Sequence, residues 1–192
     1  MTDKIKDEIQ KSIKVKSDII KNTKLLSKIE NLSNEVLKSI KNGGKIIFCG
    51  NGGSFADSQH LAAEFVSRLR FDRAPLPSIA LGTNSSNITA IANDYGYEEV
   101  FSREIISLGK ETDVFIPIST SGNSQNVLKA IKSAKDMKIK VIGLSGKDGG
   151  EMKKLCDVLL MPSKSTEKIQ ESHIMIGHIV CSIVEHEYFS TK

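Results

Sequence analysis

Residues 45–54 read KIIFCGNGGS, a short apolar run that leads directly into a glycine-rich turn. An uninterrupted run of β-branched and aromatic residues is typical of a strand that is buried on both faces. The glycines at 50, 52 and 53 let the backbone turn sharply, with N–H groups exposed where a helix would begin at Ser54. The stretch predicts a strand, a tight loop and a helix, which is the beginning of a βαβ unit.

The same alternation of strands and helices extends towards the C-terminus. Strands are predicted over 45–49, 77–81, 113–118, 140–144 and 157–161. Helices are predicted over 54–70, 85–93, 98–108, 124–137 and 165–189. Because strands with continuous apolar residues need cover on both faces, we expect an α/β fold in which a five-stranded parallel sheet lies between two helical layers. Residues 45–192 would form this one domain.

Residues 1–44 differ in composition and are predicted to form one or two amphipathic helices. Eleven of the 27 basic residues lie within 1–45, against six of the 23 acidic ones, so the rest of the chain is nearly neutral. Apolar residues recur every three to four positions until Asn42-Gly43-Gly44 ends the pattern. A five-stranded core covered by the later helices leaves no place for this apolar stripe. We therefore expect an assembly element that packs against another subunit.

Composition excludes several classes of protein. Aromatic residues make up only 5% of the chain, Trp is absent, and the N-terminal lysines are not accompanied by arginine, which argues against a nucleic-acid partner. No apolar run approaches the ~20 residues that cross a bilayer. The three cysteines show no C-x-x-C spacing and indicate neither a disulfide framework nor a zinc ribbon. We expect a cytoplasmic protein with no nucleic-acid and no membrane partner.

Two loops follow predicted strands and have the composition of a phosphate site. The first, residues 50–54, lacks the third glycine of a dinucleotide-binding fingerprint, because Phe55 stands there. The second, residues 119–124, reads STSGNS and offers four hydroxyl groups where a helix needs one for its cap. Lysine is missing from both loops. This favours a small phosphate ester over a nucleotide–magnesium complex.

A carboxylate and two histidines could supply the chemistry. His60 and Glu64 are four residues apart on the helix after the first loop, so they share a face and form half of a divalent-metal site. On the last helix, Glu171 aligns with His178, whereas Gln170 lies about 80° away around the axis. Spacing alone therefore favours Glu171. The last helix also carries His173, and His186 near the C-terminus is expected to be exposed.

Six motifs taken together resemble the bacterial phosphoheptose isomerase family of the sugar isomerase (SIS) domain proteins, over nearly the whole chain. They are Gly50-Asn51-Gly52-Gly53-Ser54, Asp57-x-x-His60-x-x-x-Glu64, Ala92-Asn93-Asp94, Ile118-Ser119-Thr120-Ser121-Gly122-Asn123-Ser124, Gly146-Lys147-Asp148-Gly149-Gly150 and Ile169-Gln170-Glu171-x-His173. The resemblance implies a flavodoxin-like sheet within a three-layer αβα sandwich. It also implies homotetramers with active sites near the subunit interfaces.

The resemblance further implies which residues bind ligands. One zinc ion per subunit would be held by His60, Glu64, Gln170 and His178, a set that replaces Glu171 with Gln170. Substrate contacts would come from Asn51, Gly52, Gly53, Glu64, Asn93, Asp94, Ser119, Thr120, Ser121, Ser124 and Gln170.

The reaction implied is the conversion of sedoheptulose 7-phosphate to D-glycero-D-manno-heptose 7-phosphate, the first step of ADP- or GDP-heptose synthesis for lipopolysaccharide or capsule. Glu64 would be the principal base and His178 its acid/base partner, because an enediol intermediate needs one proton removed and one returned. Two alternatives remain open. Residues 81–89 and 162–164 look closer to a non-catalytic SIS tetramer that binds the bacterial replication initiator, and a sugar-phosphate-sensing module would carry the same loops.

Overall fold

The structure is a computed structural model that describes residues 1–190. The helices are α1 (Thr2–Lys21), α2 (Thr23–Lys41), α3 (Gly53–Val66), α4 (Ser85–Tyr95), α5 (Val100–Leu108), α6 (Gln125–Asp136), α7 (Met152–Leu155) and α8 (Thr166–Phe189). The strands are β1 (Ile46–Cys49), β2 (Ser78–Ala80), β3 (Val114–Ser119), β4 (Lys140–Ser145) and β5 (Asp157–Leu160). A short 3-10 turn, Tyr97–Glu99, precedes α5, so the helix predicted over 98–108 begins later than expected.

The five strands form one parallel sheet in the order β2-β1-β3-β4-β5. This is the flavodoxin-like order. Side chains alternate between the two faces, so Ile46 and Phe48 of β1 enter one apolar cluster whereas Ile47 and Cys49 enter the other. The first cluster lies under α2, α3 and α8, and the second lies under α5 and α6. The predicted three-layer fold is confirmed.

The N-terminal segment divides between two roles. In α2, five apolar side chains are buried in the core that also contains the sheet: Leu25, Ile29, Leu32, Val36 and Ile40. The prediction that the apolar stripe has no place in this core is therefore wrong for α2, because one face of the sheet accommodates three helices. In α1 only Val15 and Ile19 are buried. An assembly role stays a prediction for α1, as does a domain boundary after residue 44.

A buried ion pair ends α3 earlier than the sequence predicts. The Arg73 guanidinium donates hydrogen bonds to the carbonyl oxygens of Glu64 (2.9 Å), Phe65 (2.6 Å) and Ser67 (3.0 Å). Its Nε donates to Glu185 on α8 at 2.8 Å, and the two side chains are only 2% and 1% exposed. Because these carbonyls are bonded to Arg73, the helix stops at Val66 and not at Arg70.

No helix in residues 1–190 is long and apolar enough to span a membrane.

Candidate active site

The two predicted phosphate loops meet at the carboxyl edge of the sheet. Strands β1 and β3 are neighbours, with Cys49 paired to Pro117, so the loops that follow them leave the sheet side by side. The side-chain amides of Asn51 and Asn126 exchange two hydrogen bonds of 2.9 Å across the gap between these loops. Asn126 is 4% exposed and lies in the first turn of α6. This amide pair connects the first loop to the helix that follows the second.

Hydroxyl groups and helix N–H groups converge in the second loop. The Ser119 hydroxyl lies 3.1 Å from the Ser124 hydroxyl and accepts a hydrogen bond from the Gly122 N–H at 3.2 Å. Ser124 is the N-cap of α6, and Gly52 is the N-cap of α3. Neither helix has a side-chain cap bond. The Ser54 and Phe55 N–H groups of α3 donate to the carbonyl oxygens of Asn51 and Gly52, and the Val127 N–H of α6 donates to the Asn126 side chain. The N–H groups that precede them, those of Gly53, Gln125 and Asn126, stay candidates for binding an anion.

Three candidate metal ligands come together on α3 and α8. The Nε2 atoms of His60 and His178 lie 2.9 Å apart, and His60 Nε2 lies 3.2 Å from Glu64 Oε1. One ligand atom from each residue can be chosen so that all three lie within 4.8 Å of one another. Zinc–ligand distances of about 2.0–2.1 Å in a tetrahedron place the ligand atoms about 3.3 Å apart. Two imidazoles and a carboxylate at these separations fit a zinc ion.

Comparison with known proteins shows the family to which this chain belongs. Residues 9–146 match the SIS domain family. The whole chain is 52% identical to the phosphoheptose isomerase of Aneurinibacillus thermoaerophilus, in a match covering 98% of that protein. Solved phosphoheptose isomerase structures from Neisseria gonorrhoeae and Francisella tularensis are 38% and 34% identical, with TM-scores of 0.89 and 0.92, over 96% of this chain and 98% of theirs. The chain belongs to the phosphoheptose isomerase family.

In this phosphoheptose isomerase family member, Gln170 and Glu171 have different surroundings. Gln170 packs against Gly53 at the start of α3: a Cβ placed on that glycine would lie 2.4 Å from the Gln170 amide nitrogen. Glu171 bonds with Ser12 and with Lys16 (2.9 Å) on α1. The Ser12 hydroxyl and the Lys16 and Lys168 ammonium groups hold the pKa of Glu171 at about 2, against the opposing effect of burial. The preference for Glu171 as partner of His178 is wrong, because its carboxylate faces α1. Gln170 stays a predicted ligand.

The remaining predicted substrate residues lie around the loops. Thr120 and Ser121 belong to the second loop, and the Ser121 hydroxyl accepts the N–H of Asn123 at 3.2 Å. Asn93 and Asp94 are exposed at the end of α4 and bond with each other at 2.8 Å. Their substrate roles stay predictions.

Sequence reasoning missed Tyr97 and Asn126. The Tyr97 hydroxyl donates to the Asn51 carbonyl oxygen at 3.1 Å, and the Asn126 amide donates to the same oxygen. Asn126 follows a recognisable loop by two residues, so its position in the first turn of the helix was a usable signal. Tyr97 carries no such signal, because it is 46 residues from its partner.

Asp57 is a further acidic group on α3, one turn before His60. Its Oδ2 atom is buried and has no hydrogen-bond partner among the described residues. Burial raises the pKa of Asp57 to about 6, although the nearby His60 opposes this rise. The carboxyl is therefore partly protonated just below neutral pH, unlike an ordinary surface aspartate.

His173 connects α8 to the second loop through the core. It is fully buried, and its Nε2–H donates to the Ser145 carbonyl oxygen at 3.1 Å. The Ser145 hydroxyl in turn donates to the Ser119 carbonyl oxygen at 2.7 Å. Burial lowers the pKa of His173 to about 4, so the imidazole is neutral at physiological pH. These two hydrogen bonds link His173 to the end of β3, from which the second loop begins.

This pKa predicts a loss of stability in mild acid. Below its ordinary pKa of about 6.5, His173 takes up a proton in the unfolded chain but not in the folded one. The stabilisation present above pH 6.5 should therefore decline as the pH falls to about 4, by about 3 kcal/mol in total. Urea unfolding in the presence of EDTA measures this, with His173→Gln as the reference because glutamine does not titrate. Equal pH dependence in both proteins would contradict the prediction.

Proposed function

We propose that this protein is an aldose–ketose isomerase that converts sedoheptulose 7-phosphate to D-glycero-D-manno-heptose 7-phosphate. The observation that carries the proposal is the course of α3, which begins at the first phosphate loop and bears His60 two turns later. Two turns of helix advance about 10 Å. An extended seven-carbon sugar phosphate can span this distance, with its phosphate at the loops and its C1–C2 end at the histidines. The relatives named above are isomerases of this kind.

The chain's own side chains can perform the proton transfers. The Glu64 carboxylate removes a proton from C1 of the ketose, and the electron pair forms the C1–C2 double bond of an enediolate. The His178 imidazole moves a proton between the C1 and C2 oxygens. Glu64 then returns its proton to C2, which leaves an aldehyde at C1. Both groups lie on adjacent helices, where their positions are held for general acid–base catalysis.

A zinc ion fits the donor set and is part of the proposal. His60, Glu64 and His178 would hold it, one ion per subunit, with Gln170 as the proposed fourth ligand. When bound, the ion supplies positive charge that stabilises the enediolate oxygen. The Glu64 carboxylate has two oxygens, so one can bind metal while the other takes up the proton.

A direct assay tests the function. Purified protein supplied with zinc should convert sedoheptulose 7-phosphate to the aldoheptose 7-phosphate, detected by NMR of quenched samples. Unphosphorylated sedoheptulose is the matched control and should turn over far more slowly, because the loops bind the phosphate. No turnover of the phosphate ester would overturn the proposal. Ligand-induced stabilisation with intact substrate recovered would instead indicate a sensing module.

Assembly into a homotetramer is proposed from the surface of α1. Ile5, Ile9, Ile13 and Ile20 of this helix are each more than half exposed, although they continue the apolar stripe. An apolar cavity of about 670 Å³ lies beside it, lined by residues of α1, α2 and α8. Burial of this surface against other subunits would stabilise the assembly. A role in heptose synthesis for lipopolysaccharide or capsule, and a cytoplasmic location, stay predictions.

Deleting residues 1–21 should lower the assembled mass in light scattering and reduce activity with it. This deletion keeps Asn22. The Asn22 side chain accepts a hydrogen bond from the Leu25 N–H at 3.0 Å and so caps α2. The core helix α2 should therefore persist. The control variant Lys4→Ala/Lys6→Ala removes charge but keeps the apolar stripe, and it should assemble normally. A deletion variant that remains tetrameric and fully active would refute the role of α1.

A further inference from the structure

Helices α3 and α8 carry the proposed metal ligands and run side by side in the same direction. Gly53 meets Gln170 near the start of both helices, and Leu61 meets Gly177 further along. Beyond the end of α3, Arg73 bonds with Glu185. In the first two of these contacts, Gly53 with Gln170 and Gly177 with Leu61, a glycine of one helix faces a side chain of the other. The distance between the histidines therefore depends on how closely these two helices pack.

The contact between Leu61 and Gly177 adjoins the histidine pair. Leu61 directly follows His60, and Gly177 directly precedes His178. A Cβ placed on Gly177 would lie 2.4 and 2.5 Å from the two methyl carbons of Leu61 and 3.0 Å from its Cγ. Carbon atoms in ordinary contact are about 3.5–4.0 Å apart. The absence of a side chain at 177 thus allows an approach that alanine would prevent.

We propose that Gly177 is a positioning residue, whose bare Cα lets α8 approach α3 closely enough for His178 to share one metal site with His60 and Glu64. The inference rests on the metal site of the proposed function and assigns a residue that is not itself a ligand. Glycine is unfavourable within a helix, so local helix stability does not account for its presence at this position. The close packing against Leu61 accounts for a glycine at position 177.

The surroundings leave Leu61 little freedom to make room. It is fully buried, in the same apolar cluster as Phe65 and Ile176. Rotation about its outer bond moves the methyl groups but leaves Cγ within 3.0 Å of the added carbon. Because Leu61 is enclosed by the core, we expect helix α8 to move outward to relieve this overlap. Zinc sites tolerate only about 0.2 Å in ligand distance, so a displacement of this kind weakens metal binding directly.

Zinc titration calorimetry on metal-free protein tests the inference. Gly177→Ala is expected to raise the Kd for zinc by about 10- to 100-fold, the effect that residues supporting ligands have on metal sites. The double variant Leu61→Ala/Gly177→Ala removes the obstructing carbons and should recover most of the affinity. Leu61→Ala alone should bind zinc as the wild type does. Urea unfolding of the metal-free variants records stability separately from metal affinity.

The outcomes separate this inference from the proposed function. Weak zinc binding by Gly177→Ala, with recovery in the double variant, supports the positioning role. Wild-type affinity in Gly177→Ala overturns it and leaves the metal site intact, even if the variant is less stable. Equal loss of affinity in the single and double variants also overturns it, because steric relief would have had no effect. A wild-type protein that binds no zinc would overturn the metal site itself and this inference with it.

Discussion

Replacing Glu64 with glutamine is expected to lower turnover of sedoheptulose 7-phosphate by a factor of about 10²–10⁴, the contribution typical of a positioned general base. Glutamine has nearly the same shape but cannot accept a proton from C1. Substrate affinity should stay within roughly tenfold of the wild type, because the phosphate loops are unchanged. Steady-state kinetics with NMR detection gives the turnover, and a product-inhibition or direct binding measurement gives the affinity.

The control for this substitution must distinguish the loss of a catalytic base from the loss of a metal ligand, since Glu64 also lies among the proposed metal ligands. Zinc content is therefore measured for each preparation. Glu111→Gln makes the same chemical change at an exposed position before β3, at the opposite edge of the sheet, and should leave turnover unaltered. A Glu64→Gln protein that keeps both zinc and full turnover would show that another group is the base.

Replacing Arg73 with methionine is expected to reduce the free energy of unfolding by about 3–5 kcal/mol, the effect of removing one partner from a buried ion pair. The Glu185 carboxylate, 1% exposed, would lose its only charged partner seen at hydrogen-bond distance among the described residues. The carbonyl oxygens at the end of α3 would lose their donors as well. Urea unfolding monitored by circular dichroism measures the change.

Two comparison variants sharpen this prediction. Arg103→Met removes an exposed arginine whose guanidinium lies 3.8 Å from the centre of the Tyr95 ring, and it should cost only about 0.5–1 kcal/mol. The double variant Arg73→Met/Glu185→Gln should be more stable than Arg73→Met alone, because no buried charge is left unpaired. If the double variant is the less stable of the two, the uncompensated charge is not the cause.

The same pair predicts how stability changes in acid. Burial raises the pKa of Glu185, but the N–H groups of Leu69 and Arg70 and the Arg73 guanidinium more than offset this, so the pKa is lowered. The stabilisation is therefore complete above the ordinary glutamate pKa and is lost as the pH falls through the lowered value. In Arg73→Met, the free energy of unfolding should depend less strongly on pH in this range.

Local sequence patterns were sufficient to predict the strands of the sheet and the positions of the two loops. Strands such as Ile46–Cys49 contain continuous apolar runs, and each of the two loops directly follows its strand, so both can be predicted from residues that are close together in the chain. Parallel strands then bring loops of residues 50–54 and 119–124 to one edge of the sheet. The family was likewise predicted from motifs, and the comparisons confirm it.

The spacing of residues within one helix was not sufficient to predict which side chains contact each other in the structure. Spacing on α8 favoured Glu171 beside His178, but the structure turns Glu171 towards Lys16 of α1. Helical periodicity tells which residues share a face, whereas it does not tell which neighbour that face meets. The burial of α2 in the core was not predicted for the same reason. An apolar stripe indicates that one face of a helix is buried, but not which other surface covers that face.

The sequence by itself determined the succession of strands and helices along the chain, the positions of the glycine-rich and hydroxyl-rich loops, and the residue types available for acid–base and metal chemistry. These depend on interactions between residues near each other in the chain. The tertiary structure alone decided that His60 meets His178 across 118 positions, that Arg73 bonds with Glu185, and that Leu61 packs against Gly177. Such contacts depend on how closely α3 and α8 pack, and close packing is settled by the fit of many side chains at once.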